Sequence, residues 1–212
     1  MAILDPELSG KHVRLEPLQQ HHLAGLVAAS AGDPDLYRMS KVPAGDAEMA
    51  RFIHAASTAR QAGTAAPFAV VRLADETVIG STRLFDLEWW AWPGPHPRHG
   101  HDGPDTCEIG HTWLTRSAIR TGANTEMKRL MLTFAFETWD VQSVCFHTDV
   151  RNERSRRALG RIGARYEGVL HAHRLAADDQ PRDSARFSVT AADWPAVRAH
   201  LAELSQERIL AS

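Results

Sequence analysis

The apolar positions change period several times along the chain, and each change predicts an element. Residues 12–15 alternate and read as a short strand that Pro17 ends. Residues 19–31 carry Leu23, Leu26 and Val27 at helical spacing, and Gly32-Asp33-Pro34 stops that helix. Asp46 is placed to cap a second helix to about Gln61, with Met49, Phe52, Ile53 and Ala56 as its apolar stripe. The period then shortens. Residues 68–73 and 78–85 read as two strands around the connection 74–77, an antiparallel hairpin.

Residues 107–114 predict another strand. Residues 125–138 predict the clearest helix, because Met127, Leu130, Met131, Phe134 and Ala135 fall at i, i+3, i+4, i+7 and i+8. A strand at 144–148, a helix at 152–162 capped by Asn152 and stopped by Gly163, and a strand at 164–170 follow. A turn at 177–181, a strand at 186–189 and a helix from 193 to about 205, with Pro195 in its first turn, close the pattern. Strands joined through helices between 107 and 170 predict a parallel pair with a crossover. The fold class is therefore α/β: one domain over residues 8–205, with a mixed sheet and helices on both faces.

Residues 88–105 fit no period. They are rich in Trp, Pro, His and Gly and read as a loop insertion, a length that is usually functional or disordered. Three of the six tryptophans stand in Trp89-Trp90-Ala91-Trp92. Exposed aromatic clusters on loops tend to be binding surface, so Trp89 and Trp90, with Tyr37, are assigned to substrate binding. Self-packing of the loop, or a homodimer contact, stays open for the same residues. His96, His99 and His101 lack the paired spacing of known metal sites, so no metal is assigned.

Composition narrows the function classes. The 212 residues carry 24 Lys plus Arg against 26 Asp plus Glu, a formal charge of -2, which argues against a dedicated nucleic-acid or membrane-surface binder. Cys107 and Cys145 sit in apolar runs and form no disulfide framework. No apolar run is long enough to span a membrane and no leader precedes Lys11, so a cytoplasmic protein is expected.

Two segments carry candidate chemistry. Arg120-Thr121-Gly122-Ala123-Asn124-Thr125-Glu126 lies between a strand and the amphipathic helix. A helix start offers free N–H groups and the positive end of its dipole, a seat for phosphate or pyrophosphate. An ordinary capped helix start stays the alternative, because the Gly-Lys-Ser/Thr of a P-loop and the three glycines of a Rossmann turn are missing. The second segment, residues 151–165, holds six arginines and one glutamate and suggests an anionic small molecule, or a solvated helix face.

With Glu108-Ile109-Gly110-His111-Thr112-Trp113-Leu114, Asn152-Glu153-Arg154-Ser155, Ile162-Gly163-Ala164 and Glu167-Gly168, these segments make the chain resemble the GCN5-related N-acetyltransferase (GNAT) superfamily. Within it the chain is similar to the RimJ/RimL-type, ribosomal-protein-alanine group. The resemblance implies a mostly antiparallel sheet with a central, splayed parallel pair. It implies acetyl-CoA as co-substrate, with its pyrophosphate on Arg120, Thr121, Gly122, Ala123, Asn124 and Thr125. Its pantetheine is expected along Thr112, Trp113 and Leu114, near Asn152. The tyrosine that many members place seven residues after that asparagine is Leu159 here, which leaves Ser155 as donor to the coenzyme sulfur. Glu108 is expected as the base, or as a carboxylate held in a structural ion pair. His111, three residues on, is expected on the opposite side of the strand. Relatives with an acid after the Glu-Gly pair differ here, where His171-Ala172-His173-Arg174 stands. The acceptor is an amine on a small molecule or a protein N-terminus, and a non-catalytic acyl-CoA-binding module is the alternative.

Overall fold

The computed structural model describes residues 5–32 and 34–207. In chain order it has β1 (Leu8–Ser9), β2 (Val13–Pro17), α1 (Leu23–Ser30), α2 (Pro34–Tyr37), α3 (Gly45–Gln61), β3 (Ala65–Arg72), β4 (Thr77–Glu88), β5 (Thr106–Leu114), α4 (Ala123–Glu137), β6 (Ser143–Asp149), α5 (Glu153–Arg161), β7 (Arg165–Leu175), β8 (Pro181–Thr190) and α6 (Trp194–Glu207). The strands form one open sheet in the order β1-β2-β3-β4-β5-β6-β8-β7. Every neighbouring pair is antiparallel except β5 and β6. Those two run parallel and pair only over residues 106–108 and 143–145. Beyond Glu108 the ladder between them is lost, although β5 continues to Leu114 and β6 to Asp149.

Helices cover both faces, which is why β3 is buried along almost its whole length. On one face α4 and α6 bring Met127, Met131, Phe134, Val197 and Leu201 onto Leu15, Phe68, Val70, Ile109 and Phe146. On the other, Leu26, Met49 and Ile53 of α1 and α3 pack with Ala69 and Trp113. The N-terminal strand is tied to α4 by one carboxylate. Glu126 accepts the backbone N–H groups of Lys11, His12 and Val13 at 2.8, 2.7 and 2.9 Å. A side chain at Gly10 would come within 2.5 Å of that carboxyl carbon.

Three local readings are corrected. Asp46 does not cap α3: Ala44 holds the cap position, and the Glu48 carboxylate accepts its N–H at 3.0 Å. The strands after α5 are longer than their apolar cores, because β7 and β8 form an extended hairpin around residues 176–180. β8, not β7, lies beside β6, so only the first crossover joins adjacent parallel strands.

Residues 89–105 form no helix or strand and pack on themselves. The buried Asp105 carboxylate accepts the Trp90 N–H at 2.7 Å, the Trp92 indole N–H at 2.7 Å and Arg98 Nε–H at 3.1 Å. Burial pushes the Asp105 carboxyl up, but these donors outweigh it and hold it below the ordinary value. Trp92 stacks on His96 at 4.1 Å, and Arg98 and His101 pin the loop to Asp140 and Trp139. Among the described residues no helix is long and apolar enough to cross a membrane, and both cysteines are free.

Candidate active site

Where β5 and β6 part, a cleft of about 750 Å³ opens. Its lining runs from Arg120, Gly122, Asn124 and Thr125 at one end to Glu108, His147, Arg174 and Leu175 at the other. Leu36, Tyr37 and Met39 cover it from the α2 side. The Tyr37 hydroxyl lies 3.2 Å from the carbonyls of both Ala29 and Leu114, which share its one hydrogen, and the ring sits edge-on to Trp113. Arg154 of α5 donates to the Leu36 carbonyl at 3.0 Å. Lys41 pairs with Asp179, which joins the segment after α2 to the β7–β8 turn across the cleft.

The first end is built by backbone. Gly122 caps α4 at φ 98°, a left-handed value that glycine adopts without strain. The first intrahelical bond goes from the Glu126 N–H to the Gly122 carbonyl at 3.0 Å. The Asn124 and Thr125 amides of the opening turn therefore have no intrahelical acceptor. Thr121 fixes the loop by donating its hydroxyl to the Ala118 carbonyl at 2.8 Å. Arg161 donates to Thr125 Oγ1 at 3.0 Å, which brings a guanidinium beside the helix start. Dipole and arginine act in the same sense and favour an anion here.

The second end is built by charge. Glu108 is 1% exposed and both its oxygens are engaged. Oε2 meets His147 Nδ1 at 2.8 Å, and Arg174 reaches both oxygens at 3.2 and 2.8 Å. Arg174 also donates to Asp86 at 2.7 Å. Burial alone raises the Glu108 carboxyl, but the hydrogen bond from His147 and the Arg174 guanidinium outweigh it and hold it below the usual range. An ionised carboxylate only accepts, so His147 carries its proton on Nδ1. His147 Nε2 is buried, has no hydrogen-bond partner among the described residues, and belongs to a residue that lines the cleft.

His111 corrects the alternation argument. Its φ is 49°, and the β4–β5 register slips between residues 81 and 83. This bulge turns the ring to the Glu108 side, edge-on to Phe85 at 4.9 Å. Phe85 is the register partner of Glu108. Desolvation first, and the Arg83 charge next, push the His111 ring down to about 4.

Lys128 of α4 reaches the cleft from the core. It is 6% exposed, donates to Thr112 Oγ1 at 3.0 Å and lies 5.5 Å over the Phe146 ring. Burial pushes its ammonium down to about 7.

The structure brings Glu108, Thr112, Trp113, Leu114, Arg120, Gly122, Asn124, Thr125, Asn152, Ser155 and Tyr37 to this one cleft. Thr121 and Ala123 shape its loop from behind. Asn152 Oδ1 caps α5 by accepting the Ser155 N–H at 3.0 Å, which leaves its amide NH2 as the group free to bind. Trp89 and Trp90 do not line the cleft: Asp105 folds their loop on itself, and Arg98 and His101 hold it to Asp140 and Trp139 after α4. Sequence reasoning missed His147, Arg174 and Arg182 as site residues, and read Lys128 only as positive charge near the helix start. For His147 the signal was its place two residues beyond Cys145, the parallel partner of Glu108.

Residues 12–165 match the family model described as "Acetyltransferase (GNAT) domain". No curated protein matches the chain. Among solved structures it is similar to a GCN5-related N-acetyltransferase from Brucella melitensis, at 28% identity and TM-score 0.77, covering 93% of this chain and 84% of that one. It is similar at 32% identity and TM-score 0.71 to a T. thermophilus protein designated an acetyltransferase, covering 96% and 98%. Mycobacterium smegmatis RimJ, solved with CoA-disulfide, shares the fold at 18% identity and TM-score 0.72, covering 91% and 89%.

Proposed function

This chain belongs to the GNAT acetyltransferase family, and from that premise we propose that it is an N-acetyltransferase that moves the acetyl group of acetyl-CoA to a primary amine by direct attack. Within the family, the Asn152-Glu153-Arg154-Ser155 and Gly163 pattern supports a place in the RimJ/RimL-type group. The reading is supported by one observation: a single cleft is lined both by the helix-start turn at 120–125 and by His147, whose buried Nε2 has no partner among the described residues.

The cleft fits the co-substrate. The 120–125 amides and Arg161 would hold its diphosphate, and the β5 edge at Thr112, Trp113 and Leu114 with Asn152 would hold its pantetheine arm. When bound, it supplies an acyl group activated as a thioester. Glu108 and Arg174 orient His147, and His147 Nε2 takes the proton the amine loses as the N–C bond forms and the C–S bond breaks. The Ser155 hydroxyl donates a hydrogen bond to the departing sulfur. Glu108 thus serves as a positioning residue, since both of its oxygens are already occupied.

The test is thiol release from acetyl-CoA with a panel of primary amines, read beside acetyl-CoA binding. Release with at least one amine supports the reading. Binding without release for every amine supports a non-catalytic acyl-CoA module instead.

A further inference from the structure

The amine end of the cleft holds more positive charge than its own carboxylates neutralise. Arg83, Arg174 and Arg182 all act on His111. Arg174 is neutralised, because it grips Glu108 and Asp86. Arg182 is different. It faces Arg174 across the β7–β8 ladder and lines the cleft. Among the described residues it donates only its Nε–H, to Ser184 Oγ at 3.2 Å. Asp149, which acts on it through space, is itself held by Arg151 through three bonds of 2.8 to 3.0 Å. Arg83 stands opposite Gly110 on β4 and lies 5.3 Å over the ring of Phe52, a residue of the cleft wall. Among the described residues it has no carboxylate partner. Burial depresses both guanidinium groups, a cost that an ion pair would offset.

We propose that the acceptor is an amine that also carries an oxyanion, a carboxylate or a phosphate, which docks on Arg182 in the field of Arg83 while its amine faces His147. A guanidinium presents two parallel N–H groups, a fork that matches either oxyanion. The terminal pair on Arg182 is that fork, because among the described residues only Nε is used. The co-substrate's own phosphates belong at the 120–125 turn, at the other end of the cleft. A protein N-terminus has a neutral amide where a free amino acid has its carboxylate, so the surplus charge favours a small acceptor. This inference rests on the transferase reading.

The experiment measures kcat/KM per free amine for acetyl-CoA thiol release with three matched pairs: glycine and glycinamide, β-alanine and β-alaninamide, O-phosphoethanolamine and ethanolamine. The anionic member of at least one pair is expected to be preferred by about tenfold or more, an ordinary gain for a charge-paired group. The carboxylate pairs and the phosphate pair identify which oxyanion is read. Arg182→Gln should shrink that preference about tenfold through KM, and Arg182→Lys should restore part of it. Arg83→Gln is the second variant should Arg182→Gln fail to fold, and it should shrink the same preference. Equal or better turnover of the neutral member in all three pairs overturns the inference, as does an unchanged preference in the folded variant. Either result leaves the transferase reading standing. Absence of thiol release with every amine, while acetyl-CoA still binds, overturns both.

Discussion

Glu108 and His147 meet through a 2.8 Å hydrogen bond across the parting of β5 and β6, and the far nitrogen of the ring is buried with no hydrogen-bond partner among the described residues. The partners come from strands 39 residues apart in sequence. Arg174 completes the arrangement from β7 and fixes the carboxylate on the ring. On the proposed mechanism the carboxylate orients and the imidazole exchanges the proton.

Replacing His147 by Gln should lower kcat by about 10²- to 10⁴-fold, the range for loss of a positioned base. CoA affinity should change little. Glu108→Gln keeps the shape but removes the charge that selects the ring proton, so kcat should fall less than in His147→Gln. Steady-state kinetics with calorimetric CoA binding checks both. A His147→Gln enzyme with wild-type kcat would remove the imidazole from the chemistry.

Ser155→Ala should retain the helix cap, because Asn152 accepts the backbone N–H rather than the hydroxyl. Its loss should show in kcat alone, by about tenfold, the factor that ~1.4 kcal/mol represents. Unchanged kcat with acetyl-CoA as donor would show that the sulfur leaves without help from this hydroxyl.

Lys128 predicts a pH effect on stability. Its folded pKa of about 7 lies below the ordinary lysine value of 10.5. Between those two values the unfolded chain binds the extra proton, so stability should rise with pH across that window and stay at its lower level below it. Lys128→Met keeps the volume and removes the titration. Thermal melts from pH 7 to pH 10 should therefore be flatter in the variant, with a higher Tm at pH 7. A slope equal to the wild type's would assign the effect to other groups.

Asp105→Asn should release the 89–105 loop. Its carboxylate holds two indole-bearing residues and Arg98, and charged hydrogen bonds of this kind are worth about 2 kcal/mol. Limited proteolysis should cut inside the loop faster than in the wild type. Asp105 has a depressed folded pKa, so its contribution is present above the unfolded value and disappears as pH falls through the folded one. Asp105→Asn should lose little further stability over that acid range. Wild-type cleavage rates in the variant would contradict this role.

The elements with strong periodicity were legible in the sequence. The stripe from Met127 to Ala135 marked α4, and Asn152 and Gly163 bounded α5. The parallel β5–β6 pair followed from its helical crossover. The exchange of β7 and β8 was not legible, because strand order depends on pairings that no local pattern encodes. The bulge at His111 was hidden for a different reason: a single positive φ reverses a side chain while the apolar pattern stays unchanged. In the site, the amide turn was readable because Gly122 and the helix start are contiguous. The Glu108, His147 and Arg174 cluster was not, because Arg174 is 66 residues from Glu108 and only the hairpin returns it. The Trp89 and Trp90 cluster suggested substrate binding, and that the pair lies outside the cleft was not legible, because Asp105, which folds this loop on itself, carries no signal of that role in its neighbours.

The most direct measurement is backbone hydrogen exchange with and without saturating CoA. Slowed exchange at residues 120–125 together with 112–114, and little change in the 89–105 loop, is the expected result. Protection confined to other segments, or none at all at saturation, would contradict the placement of the co-substrate between β5 and β6.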